Sequence, residues 1–219
     1  TFTRRFATTV VTVPSRVQPE PALLVQADLT EVFVRYVWEG VLHILIGIDH
    51  VLFVICLLVI ARDFKKLHLV ITAFTVGHTV TLGLSALDVV SVPPRLIESI
   101  IALSIIYVAV ENIVSWRHEG EAPKHRFVVT ALFGLVHGFG FSYVLRDEVG
   151  LPTDALVPAL LAFNIGVDLG QVAFVVVLCP FLWALRSRPA YVPLVLKTGS
   201  AALILIAVFW FVQRAFGLA

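Results

Sequence analysis

The sequence predicts an all-α fold, a polytopic membrane bundle of six transmembrane helices with an amphipathic interfacial helix ahead of the first. Three observations carry that expectation. Hydrophobic residues fill 59% of the 219 positions and charged residues 14%, against about 25% charged and roughly 45–50% apolar in soluble domains. Mean hydropathy is +0.96, more apolar surface than a soluble globule of this size can hide. Short polar breaks cut the apolar text into stretches near the ~20 residues that cross a bilayer core. The lipid bilayer is therefore the first expected partner. A net charge of +1 leaves no basic patch for nucleic acid, and the apolar excess excludes disorder.

Residues 1–29 read differently from the rest. Phe6 to Val13 is β-branched and strand-like, and Pro14, Pro19 and Pro21 then break any regular element. This segment is expected to be an exoplasmic remnant and linker, with more of an exoplasmic domain ahead of Thr1. The chain contains no methionine, consistent with numbering that starts inside a longer precursor. Residues 30–219 are the bundle. The stretch Glu31 to Trp38 is expected at the interface, and the spans at about 38–61, 67–87, 95–116, 126–146, 156–185 and 192–214. Trp38, Trp116, Trp183 and Tyr191 lie near span ends and read as interfacial anchors. Cys56 and Cys179 sit in apolar runs and read as small buried hydrophobes rather than a redox pair. Gly134-x-x-x-Gly138 and Gly166-x-x-x-Gly170 predict close helix approach.

Orientation follows from lysine and arginine near the span ends. One side holds nine, Arg62, Lys65, Lys66, Arg117, Lys124, Arg126, Arg186, Arg188 and Lys197. The other holds four, Arg35, Arg95, Arg146 and Arg214. The richer side belongs in the cytoplasm, which leaves both termini exoplasmic.

An ionisable side chain at the bilayer centre costs about 2.5–3.5 kcal/mol on the insertion scale, so each one inside a span is a functional candidate. Glu39, His43 and His50 are spaced four and seven residues apart, one face of a continuous helix. Asp49 points about a third of a turn away, better placed for a neighbouring helix. The second span carries His78, the third Glu98 near its outer end and Glu111-Asn112 near its inner end, the fourth His137. Asn164, Asp168 and Gln171 form one stripe on the fifth. At 1.5 Å per residue, His50, His78, His137 and the Asn164–Asp168 pair fall about eight to twelve residues from the outer end of their spans. One layer near the midplane thus gathers imidazoles and carboxylates, a donor set that suits Zn, Ni, Co, Cu or Fe. Thiolate and thioether ligands are missing from it, which disfavours Cu(I). A lone buried histidine is more often a packing residue; three at one depth with Asp49 and Asp168 nearby favour a metal or proton site.

These segments together resemble the HupE/UreJ family of hydrogenase and urease accessory membrane proteins. The matching text is His43-x5-Asp49-His50-x-Leu52-Phe53, Phe74-Thr75-x-x-His78-x-x-Thr81-Leu82, Glu98 followed by Ile101-Ala102-x-Ser104-Ile105, and Ala109-x-Glu111-Asn112. It continues with Phe133-Gly134-Leu135-x-His137-Gly138-Phe139-Gly140-Phe141, Gly150-Leu151-Pro152, and Phe163-Asn164-x-Gly166-Val167-Asp168-x-Gly170-Gln171. The resemblance covers about residues 38–180, closest to the branch with an exoplasmic domain ahead of the membrane part. It departs at Ile44, Thr79 and Asp168, where many members carry Pro, Ser and Glu. The resemblance implies a bacterial-type inner-membrane permease for nickel or cobalt. It implies that His43, Asp49, His50, His78 and His137 handle the metal, with Glu98, Glu111, Asn112, Asn164, Asp168 and Gln171 as supporting or pathway residues.

Three functions remain open on sequence alone. A secondary transporter for a divalent transition metal, Ni, Co or Zn, places its ligands near the midplane. An intramembrane zinc-type hydrolase uses three histidines, an open coordination position and a general base such as Glu98 or Asp49. A non-catalytic membrane subunit uses the polar layer for packing and the Gly-rich faces for a membrane protein partner.

Overall fold

The computed structural model describes residues 28–61, 63–117, 125–144 and 155–218. The strand-like segment and the proline linker expected at 1–29 lie outside them but for the last two residues. In chain order the helices are α1 (Leu29–Ile46), α2 (Ile48–Ile60), α3 (Phe64–Ala86), α4 (Pro94–Arg117), α5 (Arg126–Val144), α6 (Leu156–Arg186) and α7 (Ser200–Phe216). A π-helical segment, Tyr191–Gly199, leads into α7. The described residues form no strand.

Local chemistry sets the ends. The Asp28 side chain accepts from the Thr30 N–H at 2.9 Å, and Asp63 does the same for Lys65 at 2.8 Å, each answering an orphan first-turn donor. Pro94 opens α4, where its missing N–H costs nothing. Gly217 closes α7 in the left-handed region, φ 64°.

The helices α3, α4 and α6, and α7 taken with its π-helical lead, are each long and apolar enough to cross a bilayer. The first span differs from expectation: α1 and α2 satisfy the test only together, bent by 68°. The stretch Glu31 to Trp38 is the first part of α1 rather than a separate interfacial helix, and the break falls at Gly47. A glycine inside a helical pattern usually passes uninterrupted at a cost of about 1 kcal/mol, so periodicity does not reveal this break. The apolar part of α5, Arg126–Phe141, is shorter than a full crossing.

Three helix pairs dominate the packing, α1 with α6, α3 with α5, and α4 with α7, and α2 threads among them. Glycines make the first two pairs close. A Cβ on Gly40 or Gly166 would overlap the backbone of the facing helix at Phe163 or Val37, and one on Gly77 or Gly134 would overlap Ala131 or Phe74. Both pairs run in the same direction, since Gly138 and Gly170 meet later residues of their partners, His78 to Leu82 and Val41 to Ile44. The two predicted glycine motifs therefore serve helix approach.

The short helix α2 lies in the core, with Phe53, Val54, Cys56 and Leu57 to Ile60 all buried. Its C-terminal carbonyls must find donors there. Asn112 Nδ2 donates to Cys56 O at 2.7 Å, Tyr191 Oη to Val59 O at 2.7 Å and Arg186 Nη1 to Ala61 O at 2.6 Å. Tyr191 is thus a buried cap, correcting its reading as an interfacial anchor, whereas Trp38 and Trp183 are exposed as anchors should be. The Trp116 side chain lies outside the described residues. Cys56 and Cys179 are buried and unpaired.

Candidate metal centre

Four helices each bring one imidazole to a cluster: His43 from α1, His50 from α2 and His78 from α3 gather their ring nitrogens, and His137 from α5 packs beside His50. The ring centroids of His43 and His50 are 4.5 Å apart, those of His50 and His137 5.1 Å, of His43 and His78 5.8 Å and of His50 and His78 6.1 Å. One ring nitrogen each from His43, His50 and His78 lie within 4.8 Å of one another.

The break at Gly47 makes this possible. In a continuous helix, positions seven apart are separated by about 10.5 Å along the axis. The 68° bend folds His43 back toward His50. Gly47 donates its N–H to His43 O at 2.9 Å, and a Cβ there would stand 2.5 Å from that oxygen and 3.0 Å from His50 Nδ1. Gly47→Ala is therefore expected to push the two rings apart and weaken metal binding about tenfold while leaving helix content unchanged, one tenfold step being ~1.4 kcal/mol. Calorimetric titration with Ni²⁺ beside circular dichroism checks it.

The electrostatics of the cluster identify what it lacks. His137 Nδ1–H donates to the Phe133 carbonyl at 2.8 Å, which leaves its Nε2 as the bare lone pair. That Nε2, both nitrogens of His78 and the Nε2 atoms of His43 and His50 are buried with no hydrogen-bond partner. A buried unsatisfied polar group costs about 1–3 kcal/mol, so five at one place call for a ligand. The walls are aromatic: Phe74 lies 5.0 Å from His137, Phe53 5.3 Å from it, and Phe141 3.7 Å from His43. Imidazoles in an aromatic-walled site can hold a divalent transition-metal ion.

A cavity reaches the cluster. It has a volume of about 530 Å³, is lined by Glu39, Asp49, Glu98 and Arg214 at its polar positions and extends to His43, His50 and His137. His78 is fully buried and is not part of that lining.

A family model described as HupE / UreJ protein matches residues 20–214. The chain belongs to the HupE/UreJ family. No curated protein and no solved structure matches it.

The remaining residues singled out in this HupE/UreJ chain are spent differently. Asp49 lines the same cavity as His43, His50 and His137 and pairs with Arg214, 2.9 Å from Oδ2 to Nη2. Glu98 is half exposed at the cavity mouth, 4.0 Å from Arg214 Nε. Glu111 binds Arg126 Nε at 2.9 Å and His125 Nε2 at 3.1 Å, while Asn112 Oδ1 accepts from Arg126 Nη2 at 2.6 Å. Asn164 and Gln171 accept from Thr79 at 2.7 Å and from Thr75 at 3.0 Å, which ties α6 to α3. Asp168 is exposed on α6 beside Thr75.

Sequence reasoning missed Arg126, Arg214 and Phe141. The two arginines count toward loop charge, yet Arg126 is 3% exposed. The available signal was Arg214 itself, a charge in the last turn of an otherwise apolar helix, where an arginine either reaches to the interface or pairs with a neighbouring helix.

Proposed function

We propose that this chain is a membrane permease for a divalent transition-metal ion, nickel or cobalt, held at His43, His50, His78 and His137 with Asp49 as the nearby carboxylate. The observation that carries the reading is the set of unpartnered buried imidazole nitrogens on four helices at the end of an acid-lined cavity. Membership in the HupE/UreJ family supports it. Glu39 and Glu98 attract the cation to the mouth, and the neutral imidazoles replace its water at the midplane, the usual depth of a transport site. The Glu111–Asn112–Arg126 network closes the far end of α4 and must open for release. Asn164, Asp168 and Gln171 line the α3–α6 seam on the same route. The lysine and arginine bias supports a bacterial-type cytoplasmic membrane with both termini, and any domain ahead of Thr1, exoplasmic.

The deciding experiment is uptake of labelled Ni²⁺ or Co²⁺ into vesicles carrying the chain. Uptake by the wild type and its loss in His50→Ala and His78→Ala is the expected result. Equal uptake by all three ends the reading. Zinc retained through chelator dialysis without uptake favours the intramembrane hydrolase, and no bound metal at all favours a non-catalytic subunit.

A further inference from the structure

We propose that Arg214 is a tethered cation that latches the vestibule by occupying both carboxylate oxygens of Asp49, so that an incoming metal ion must displace it. The proposal rests on the permease reading and adds to it a selectivity residue outside the histidine set.

Arg214 lies in the last turn of α7, 165 positions beyond Asp49. Its Nη1 donates to Asp49 Oδ1 at 3.1 Å and its Nη2 to Oδ2 at 2.9 Å, a fork-to-fork pair of the strong kind. Nη1 also reaches the Glu98 carbonyl at 3.3 Å, and the guanidinium carbon sits 5.3 Å from the Trp210 ring centroid. The backbone beneath is clamped as well. Arg95 Nε donates to the carbonyls of Arg214 at 3.2 Å and Ala215 at 3.1 Å. The head is thus gripped from α2, α4 and its own helix.

The position is what gives these contacts a role. Asp49 immediately precedes His50 and lines the cavity that reaches the ring cluster, and both of its oxygens are taken by Arg214. Among the residues lining the cavity, Arg214 is the one cation beside Glu39, Asp49 and Glu98. A guanidinium offers no lone pair to a metal and repels it. The Arg214 and Asp49 side chains are 19% and 25% exposed, so the pair is reachable from the cavity and weakly screened there. A divalent ion offers Asp49 twice the charge of the guanidinium and can take its place. A monovalent ion offers no such gain. The latch therefore favours divalent cations before the imidazoles are reached.

The test uses the purified full chain in detergent with Co²⁺ as the probe, its visible spectrum reporting the ligand set and calorimetry the affinity. Arg214→Gln is expected to bind Co²⁺ about tenfold tighter with the wild-type spectrum, since Asp49 joins the ion in both. Asp49→Asn, which frees the guanidinium without a partner, is expected to bind about tenfold weaker. The double variant D49N/R214Q, with neither latch nor carboxylate, returns to about the wild-type affinity but shows the spectrum of a ligand set without the carboxylate. Arg214→Lys keeps the charge, loses the fork and falls between wild type and Arg214→Gln. A merely structural role shifts thermal unfolding in these variants but leaves affinity and spectrum alike, and that result overturns the latch. A wild type that binds no Co²⁺ overturns the metal centre and the latch together. Wild-type binding that is lost in His50→Ala yet equal across the Asp49 and Arg214 variants overturns the latch alone.

Discussion

His78→Leu is expected to abolish metal binding and, in the absence of metal, to make the protein more stable. His78 is fully buried, and neither ring nitrogen has a partner of good hydrogen-bond geometry, Asn164 being the side chain close by. Without an ion the ring is a liability of about 1–3 kcal/mol for each unsatisfied nitrogen. Leucine fills a comparable volume, keeps helix propensity and removes both polar atoms. The metal-free variant is therefore expected to gain about 1–2 kcal/mol against unfolding. The binding loss has the opposite sign. Outer-sphere partners of a metal typically carry 10–100-fold in affinity, and a direct ligand carries more, so binding should fall by about a hundredfold or beyond. Thermal unfolding in detergent with and without Ni²⁺ reads both effects at once. The wild type should rise with Ni²⁺, by about 2.7 kcal/mol at a hundred times the dissociation constant. The variant should start higher and stay unmoved. A variant that is weaker without metal and still responds to Ni²⁺ makes His78 a packing residue.

Gly134→Ala is expected to cost as much in the other direction, although it adds a single methyl group. Its Cβ would overlap the backbone of Phe74 on α3, and a backbone cannot step aside as a side chain can. The α3–α5 pair must separate, at a cost of about 3 kcal/mol, the upper part of the range for overpacking. The same separation moves His137 on α5 from His78 on α3, so metal affinity should fall together with stability. Gly83 provides the control, because nothing lies within 4 Å of a Cβ there. Gly83→Ala, on the same α3, is expected to be neutral or stabilising by up to about 1 kcal/mol from helix propensity alone. Urea or thermal unfolding of the two variants separates a crossing-point clash from a general intolerance of α3–α5 to change. Equal stability of the two removes the close crossing as the reason for Gly134.

The polar layer is legible because lipid makes ionisable groups expensive. His50, His78 and His137 sit at similar depth in the sequence, and the His50 ring lies near each of the other two, whereas the ring nitrogens that gather within reach of one ion are those of His43, His50 and His78. His43 joins them for a different reason than its spacing from His50 indicates. The helical face argued from positions 43 and 50 belongs to a continuous helix, whereas the chain bends by 68° between them. Nothing in the pattern around Gly47 distinguishes a broken span from a tolerated glycine. Glu98 is legible as an acidic residue near the outer end and Asp49 as one beside the midplane layer, and their shared partner Arg214 is not, because it is more than a hundred positions away in the chain.

The sequence by itself determined the solvent, the helical segments, the small residues at the α1–α6 and α3–α5 crossings and the chemical types present at each depth. Those follow from hydropathy, span length and the 1.5 Å rise, which act along one helix at a time. Only the tertiary structure decided which polar groups are spent on one another and which are left over. Asp49 goes to Arg214, Glu111 and Asn112 to Arg126, and Asn164 and Gln171 to the threonines of α3. Four imidazoles keep nitrogens that no group among the described residues satisfies. Periodicity positions a side chain along and around its own axis, but its partner depends on how separate helices dock, and that docking is set by backbone contacts at a few glycines.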